Sequence, residues 1–425
     1  MAAVLPDTAP ATSPGHAARR RQLLRGLGAL PLLAGLPAAW AAAPPAGSGP
    51  VVAIGGALAD DNDAVWARVA ALAGGAGARV AVIAAASGEP ARATARVDAA
   101  LRRHGVQGLA IGVAPQADGA EAARAAAREP RWAEAVAASQ GVYFTGGAQS
   151  RLLDALAPAG EPSPLLQAVK ALHGRGGVVA GSSSGAAVLS HECFRDAPDL
   201  LGALRGTLRE GVEVGRGFGF LPPALLVDQH FVRRGRIGRL LPLMAARGLP
   251  LGLGVEEDSA ALLHGGTLEV LGRHGVLVAD LGPARVEATA PLALQGARLH
   301  WLRPGDRLAL ASRRITPAAT TRIDPFAPGH RAADPGPAFY PAMLDEGVLV
   351  RALQRLVDGD QAELQGLSFA PPPGDGGPAF AWRLHRAPGT HGWLGADGGL
   401  GVADARLDLR PVRLAQPLFT PWAGG

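Results

Sequence analysis

Val178-Val179-Ala180-Gly181-Ser182-Ser183-Ser184-Gly185-Ala186-Ala187-Val188-Leu189 sets an apolar, β-favouring run directly against a Gly-x-Ser-x-Gly turn and a small-residue helix. A strand that turns sharply into a helix holds its central residue away from the backbone, and glycines on both sides remove the side chains that would crowd it. The spacing selects Ser183 as a nucleophile. Ser182 and Ser184 fit only with the turn one residue out of register, where the flanking glycines no longer match. The same letters also suit a plain Ser/Gly connection, so the chemistry must be sought downstream.

A serine hydroxyl is a poor nucleophile at neutral pH; it needs a general base and an acid that fixes the base's tautomer. The stretches GFLPPALLVDQHFVRRGRIGR (219–239) and GLGVEEDSA (252–260) each end a strand-like run in such residues, His230 and Glu257. The resulting order is Ser, His, Glu, whereas an α/β-hydrolase runs Ser, acid, His. That order speaks against an ordinary esterase.

Together these motifs resemble the cyanophycinases, within the serine peptidase family that also holds the aspartyl dipeptidases. The family's Gly-Thr-Ser-Ala-Gly-Ala elbow stands here as Gly181-Ser182-Ser183-Ser184-Gly185-Ala186, with Ser184 where alanine is usual. Its Asp-Gln-His-Phe block stands as Asp228-Gln229-His230-Phe231, followed by Arg234, Arg236 and Arg239, and its acidic pair as Glu257-Asp258. An upstream Gly-Gly-x-Gln element is matched by Gly146-Gly147-Ala148-Gln149, Ala148 replacing the usual acidic or amide residue. The resemblance covers roughly residues 51–312.

It implies that Ser183 attacks a peptide carbonyl, His230 shuttles the proton and Glu257 orients His230, through an acyl-enzyme. The backbone N–H groups of Gly147 and Ser184 are the oxyanion-hole candidates. Cyanophycin, a polyaspartate carrying arginine through isopeptide bonds, presents carboxylates and guanidiniums. Arg234, Arg236 and Arg239 suit the former, and Gln149, Asp228 and Gln229 suit amides or guanidiniums. The trio also reads as a solvated basic helix face, and Asp228 as a hydrogen-bond acceptor that holds the strand end beside His230.

Other residues carry less. Cys193 has no second cysteine to pair with and is expected to pack on the helix after the elbow, so His191, Glu192 and Cys193 form neither a catalytic pair nor a metal site. His173, His264 and His274 lack metal-ligand spacing and are expected on the surface or in loops. Gly55-Gly56 has neither a Gly-x-Gly-x-x-Gly nor a Lys-Ser/Thr continuation and reads as the exit turn of the first strand, with a place bordering the active-site cleft. No metal or organic cofactor is implied.

At the N-terminus, Arg20-Arg21-Gln22-Leu23-Leu24-Arg25 leads into an apolar run from Gly26 to Ala39, and Ala39-Trp40-Ala41 offers a small-x-small cleavage site. The pattern resembles a twin-arginine signal, implying the twin-arginine export machinery as a partner and a periplasmic or extracellular destination. The apolar run is shorter than the roughly twenty residues that span a bilayer. The composition suits a folded exported enzyme: 48% of the 425 residues are hydrophobic, and one cysteine excludes an internal disulfide. A pI of about 10.4 invites a nucleic-acid reading, but the formal charge is only +5 and no aromatic-basic stripe appears. Lys170 is the only lysine, so the high pI reflects arginine usage.

Strand-like runs at 51–54, 79–84, 109–113, 142–145 and 178–180 alternate with helical patterns at 59–72, 91–103, 120–128, 151–156 and 165–172. Alternation of this kind predicts an α/β fold, a parallel sheet flanked by helices. The resemblance sharpens it to a class I glutamine amidotransferase-like (flavodoxin-like) arrangement with the site beyond the strands' carboxyl ends. Runs from 261 to 280 read as hairpin strands. The expected organisation is a signal peptide at 1–41, a linker at 42–50, a peptidase domain at 51–312, and a Pro/Gly-rich linker with a small β-rich C-terminal appendage at 313–425. Within that last part, 346–359 reads as a helix, and 380–384 and 403–409 as strands. The appendage fits three roles: covering an edge, contributing to a homodimer, or binding polymer.

The sequence thus predicts an exported serine peptidase that hydrolyses cyanophycin to aspartyl-arginine dipeptides. A dipeptidase or isopeptidase on short aspartyl peptides is the alternative among enzymes, and a secreted non-catalytic binding protein the alternative outside them.

Overall fold

The structure is a computed structural model describing residues 47–415 apart from 288, 320, 333–335, 371–376 and 396. The twin-arginine segment and its cleavage site lie outside the described residues. The first half alternates strand and helix: β1 (Val51–Ile54), α1 (Asp63–Leu72), β2 (Arg79–Ile83), α2 (Pro90–Arg102), β3 (Gln107–Ile111), α3 (Pro115–Asp118), α4 (Ala120–Ala126), α5 (Pro130–Ala137), β4 (Gly141–Phe144), α6 (Gln149–Leu156), α7 (Pro164–Gly174), β5 (Val178–Ser182) and α8 (Ser184–Ala187). A short hairpin, β6 (Glu192–Phe194) and β7 (Val214–Arg216), encloses α9 (Leu200–Leu204); β8 (Leu225–Gln229), α10 (Ile237–Arg247) and β9 (Leu251–Val255) follow. Antiparallel strands then dominate: β10 (Ser259–His264), β11 (Thr267–Gly272), β12 (Val276–Asp280), β13 (Arg285–Glu287), β14 (Ala293–Leu302), β15 (Arg307–Ala309), β16 (Arg314–Thr316), β17 (Arg322–Ile323) and β18 (Phe339–Tyr340). After α11 (Val348–Asp358) come β19 (Glu363–Ser368), β20 (Ala379–His385), β21 (His391–Leu394) and β22 (Leu400–Val412).

Two large sheets result. The first runs β16-β15-β11-β10-β1-β5-β4-β2-β3, with the five strands from β1 to β3 parallel. The second runs β18-β19-β20-β22-β14-β12-β9-β8, with β8 and β9 parallel to each other. Period-two burial explains why short apolar runs become strands covered on both faces. Val51 and Ala53 face one core with Val179, α6 and α7, whereas Val52 and Ile54 face another with Trp66 of α1 and Leu101 of α2. The second sheet divides in the same way: Val276 and Val278 join the core of Val51, while Leu277 and Ala279 pack with α10 and α11.

The five expected parallel strands form within two residues of their expected bounds, as do the helices at 91–103 and 346–359. The helix expected from 59 begins at Asp63, because residues 59–62 are drawn into a loop: Ala59 N–H and Asn62 Nδ2 both donate to Asp258 Oδ1 at 2.8 Å. The runs at 261–280 split. β10 and β11 pair in the first sheet, whereas β12 crosses to the second to pair with β9 and β14. Neither α5 nor α10, which carries Pro242 inside it, was expected from periodicity.

The composition change after Ser312 marks no break in the second sheet. β22 pairs with β14 along one side and β20 and β21 along the other, and Leu353, Leu356, Trp382 and Leu407 share a core with Leu240 and Leu277. A chain ended after Ser312 is therefore expected to expose that core and the unpaired β14 edge, and to yield aggregate rather than a soluble monomer in size-exclusion chromatography.

Candidate active site

At the end of β5 the chain turns through Ser183 at φ 55 and ψ −120 and enters α8. Both motif glycines are sterically required. A Cβ on Gly181 would lie 2.1 Å from Gly185 O, and one on Gly185 would lie 2.3 Å from Phe144 O in β4. Ser183 N–H donates to Ile54 O at 2.9 Å, so β1 holds the elbow from the other side.

His230 follows β8 and Glu257 follows β9, at the carboxyl ends of the parallel pair in the second sheet. Ser183 Oγ lies 2.8 Å from His230 Nε2, and His230 Nδ1 lies 2.6 Å from Glu257 Oε1. A carboxylate only accepts, so the ring proton sits on Nδ1 and Nε2 is left to accept from the serine. The Gly55-Gly56 turn after β1 locks this arrangement. His230 N–H donates to Gly55 O at 2.8 Å and Asp258 N–H to Gly56 O at 2.9 Å. The His230 ring lies against Gly56, where a Cβ would stand 2.4 Å from it. Glu256 accepts from the N–H groups of Val232 and Arg233, pinning the loop after His230.

Ser183, His230 and Asp258 all have positive φ, at 55°, 48° and 51°. Such conformations cost about 1–3 kcal/mol each and persist only where surroundings over-determine them. Burial holds the His230 pKa below its ordinary value; the hydrogen bond to Glu257 opposes that shift, and the charges of Arg234 and Arg236 reinforce it. The imidazole is therefore a neutral base at pH 7.

The other expected loop also converges. Gly147 has φ +146, and a Cβ there would lie 1.9 Å from Ala86 O. Ser184 Oγ donates to Gly147 O and lies 2.9 Å from Gln149 Oε1. Ser184, expected to contribute only its backbone, thus also ties the elbow to the Gly147 loop through its hydroxyl.

The expected substrate contacts after β8 need correction. Asp228 is fully buried, Gln229 and Arg239 nearly so, and Arg236 is 9% exposed. Arg239 grips Asp228 with Nε and Nη2 at 2.7 and 2.6 Å, gives Nη1 to Ala197 O at 3.0 Å, and lies over the Phe194 ring. Arg236 Nη1 donates to Gln229 O at 2.7 Å and reaches Asp228 Oδ1 at 3.3 Å. These side chains brace β8 from within the protein, and only Arg234 of the trio is exposed. Cys193 sits on β6 in the same core as Ala186 of α8, and burial pushes its thiol up to about 12, which leaves it unreactive. His173 is buried rather than superficial, bonded to Gly49 O at 2.8 Å. Among the described residues, no cluster could hold a metal ion.

A cavity of about 310 Å3 opens beside Ser183 and His230, and its lining includes Trp66, Arg96, Tyr143 and Thr145. Sequence reasoning missed all four. Arg96 is one arginine among many on an amphipathic helix, and the other three look like ordinary core positions until α1, α2 and β4 are brought together.

Residues 51–271, just over half of the chain, match the profile of Peptidase family S51. The chain belongs to that family. It is 36% identical over 190 residues to a cyanophycinase of Trichormus variabilis, covering 43% of this chain and 60% of that one. It is 35% identical over 183 residues to a cyanophycinase of Synechococcus elongatus, covering 41% and 54%. The chain thus matches somewhat over half the length of these curated relatives. A crystal structure of a peptidase from an acI-B1 Actinobacterium aligns with TM-score 0.43 at 21% identity, over 62% of this chain and 97% of that one.

Burial alone would push the Asp228 carboxyl up, but Arg239 and Arg236 outweigh it and hold the group below the usual carboxylate range. A depressed folded pKa contributes stability that is present at neutral pH and is lost as pH falls through that pKa. Asp228→Asn leaves two buried guanidiniums without their anion. It is expected to lower unfolding free energy by about 3–5 kcal/mol at pH 7 and to flatten the acid side of the stability curve, read by denaturant titration across pH.

Proposed function

We propose that this member of peptidase family S51 is a serine peptidase that hydrolyses cyanophycin to aspartyl-arginine dipeptides. The observation that carries the reading is the unbroken Ser183–His230–Glu257 hydrogen-bond chain at the mouth of a cavity. Similarity to cyanophycinases supports the substrate. Ser183 Oγ attacks the carbonyl carbon as its proton passes to His230 Nε2, and Glu257 stabilises the imidazolium. His230 then gives the proton to the leaving amine as the C–N bond breaks. Water, deprotonated by His230, cleaves the acyl-enzyme and restores the serine. The N–H groups of Gly147 and Ser184 are the proposed oxyanion donors, each worth about 2–4 kcal/mol in the transition state.

We also propose export by the twin-arginine route, resting on Arg20-Arg21 and the Ala39-Trp40-Ala41 site. A class I glutamine amidotransferase-like core is supported by the placement of Ser183 after an interior parallel strand and before a helix.

The decisive assay is mass spectrometry of soluble products after incubation with insoluble cyanophycin. The protein is expected to release dipeptides, and Ser183→Ala to slow release by at least about 10⁴-fold. No release from either, with cleavage of short aspartyl peptides instead, moves the reading to a dipeptidase. Absence of fluorophosphonate labelling at Ser183 moves it to a binding protein.

The pH profile offers a separate check. With its pKa lowered, His230 stays basic below its ordinary value, so kcat/KM is expected to fall only as pH drops through that lower pKa. Arg234→Gln removes a positive charge that disfavours the imidazolium. It is expected to move the acid limb slightly to higher pH at low salt, and a limb moved to lower pH contradicts the assignment of His230 as base.

A further inference from the structure

The cavity beside Ser183 carries one guanidinium in its described lining, that of Arg96 on α2. Its Nε donates to Asp60 Oδ1 and its Nη2 to Leu58 O, both at 2.6 Å. Those two N–H groups share the side-on edge of the planar fork. The end-on edge, with Nη1, makes no hydrogen bond among the described residues. Arg96 is 53% exposed at the cavity rim, and a guanidinium tied along one edge and open along the other can offer a second, bidentate acceptor its free edge.

Two features of the wall point the same way. Thr145 Oγ1 is buried and has no hydrogen-bond partner among the described residues, which leaves its hydroxyl for a ligand or a water. The rings of Trp66 and Tyr143 stack at 5.6 Å to form an apolar side of the cavity. Burial raises the Tyr143 hydroxyl's pKa, and a hydrogen bond with Ser182 and then the Arg96 charge oppose that rise.

We propose that Arg96, seconded by Thr145, forms a carboxylate-binding subsite next to the nucleophile. It takes a carboxylate held within about one residue of the carbonyl that Ser183 attacks. The inference rests on the reading of Ser183 as a nucleophile toward aspartyl peptides. In a polyaspartate bearing β-linked arginine, the arginyl α-carboxylate beside each backbone bond is a group of this kind.

The test measures protection of Ser183 from fluorophosphonate labelling by β-aspartyl-arginine and by the same dipeptide with both carboxylates converted to amides. The acid form is expected to protect at a concentration about tenfold lower than the amide, as the loss of a charge-assisted pair implies. Arg96→Met is expected to bring the two within about twofold, and Arg96→Lys, which keeps the charge without the fork, to fall between. The acid-to-amide ratio is taken within each protein, so a change in serine reactivity or in folded fraction cancels. Equal protection by acid and amide, no protection by either, or an undiminished ratio in Arg96→Met overturns the proposal. Failure to hydrolyse cyanophycin with the ratio intact sinks the substrate reading and leaves the subsite standing.

Discussion

The hydrogen bond from His230 N–H to Gly55 O, 2.8 Å long, is the joint on which the site depends. Ser183 belongs to the first sheet, whereas His230 and Glu257 belong to the second. Nothing in either sheet's own ladder fixes their separation. The Gly55-Gly56 turn does so by meeting His230 N–H, Asp258 N–H and Ser259 O at once. It has to be glycine: a Cβ on Gly55 would lie 1.9 Å from Glu256 O, and one on Gly56 would enter the His230 ring. Since a shift of about 1 Å in a reacting group can cost about 10²-fold in rate, a joint made of backbone atoms is better suited than one made of flexible side chains.

That dependence explains what the sequence revealed and what it hid. Ser183 was legible because the elbow is local: strand, glycine, serine, glycine and helix lie within one short run, and their steric logic needs no distant partner. His230 and Glu257 were legible through residue type and spacing. The parallel strands were legible because burial on both faces leaves continuous apolar runs such as Val51 to Ile54. Gly55-Gly56 read as an exit turn bordering the cleft, but not as a joint, since its partners come from β8, β9 and β10, far along the chain. Arg236 and Arg239 misled for the same reason. A sequence shows an arginine after a strand but not which way it points, and only the packing of α10 against β8 and Phe194 turns it inward. The Pro and Gly content after Ser312 drew attention to a boundary, while the alternating run through β22 was the better guide to its place in the second sheet.

The base is tuned by opposition. Burial favours neutral imidazole, Glu257 favours the imidazolium, and Arg234 and Arg236 oppose it. A base that ionised fully at rest could not accept the serine proton, and one that never ionised could not hold it in the transition state. Asp228 enters indirectly, by keeping Arg236 and Arg239 charged and in place within a core that would otherwise reject them. One carboxylate therefore serves both the stability of the strand that ends at His230 and the electrostatic setting of His230 itself.

The arginines around the site differ in what their forks have left to give. Arg239 spends both edges, the side-on edge on Asp228 and Nη1 on Ala197 O, so it can only brace. Arg234 spends neither among the described residues and is exposed, so it acts through charge without a fixed direction, a weak and screened influence. Arg96 spends one edge on Asp60 and Leu58 and keeps the other. Recognition of a planar anion needs a donor pair held still before the ligand arrives, because ordering a free side chain at the moment of binding consumes part of the affinity. A half-committed guanidinium meets both conditions, and the hydrogen-bond state of a fork is something that position along the chain does not show.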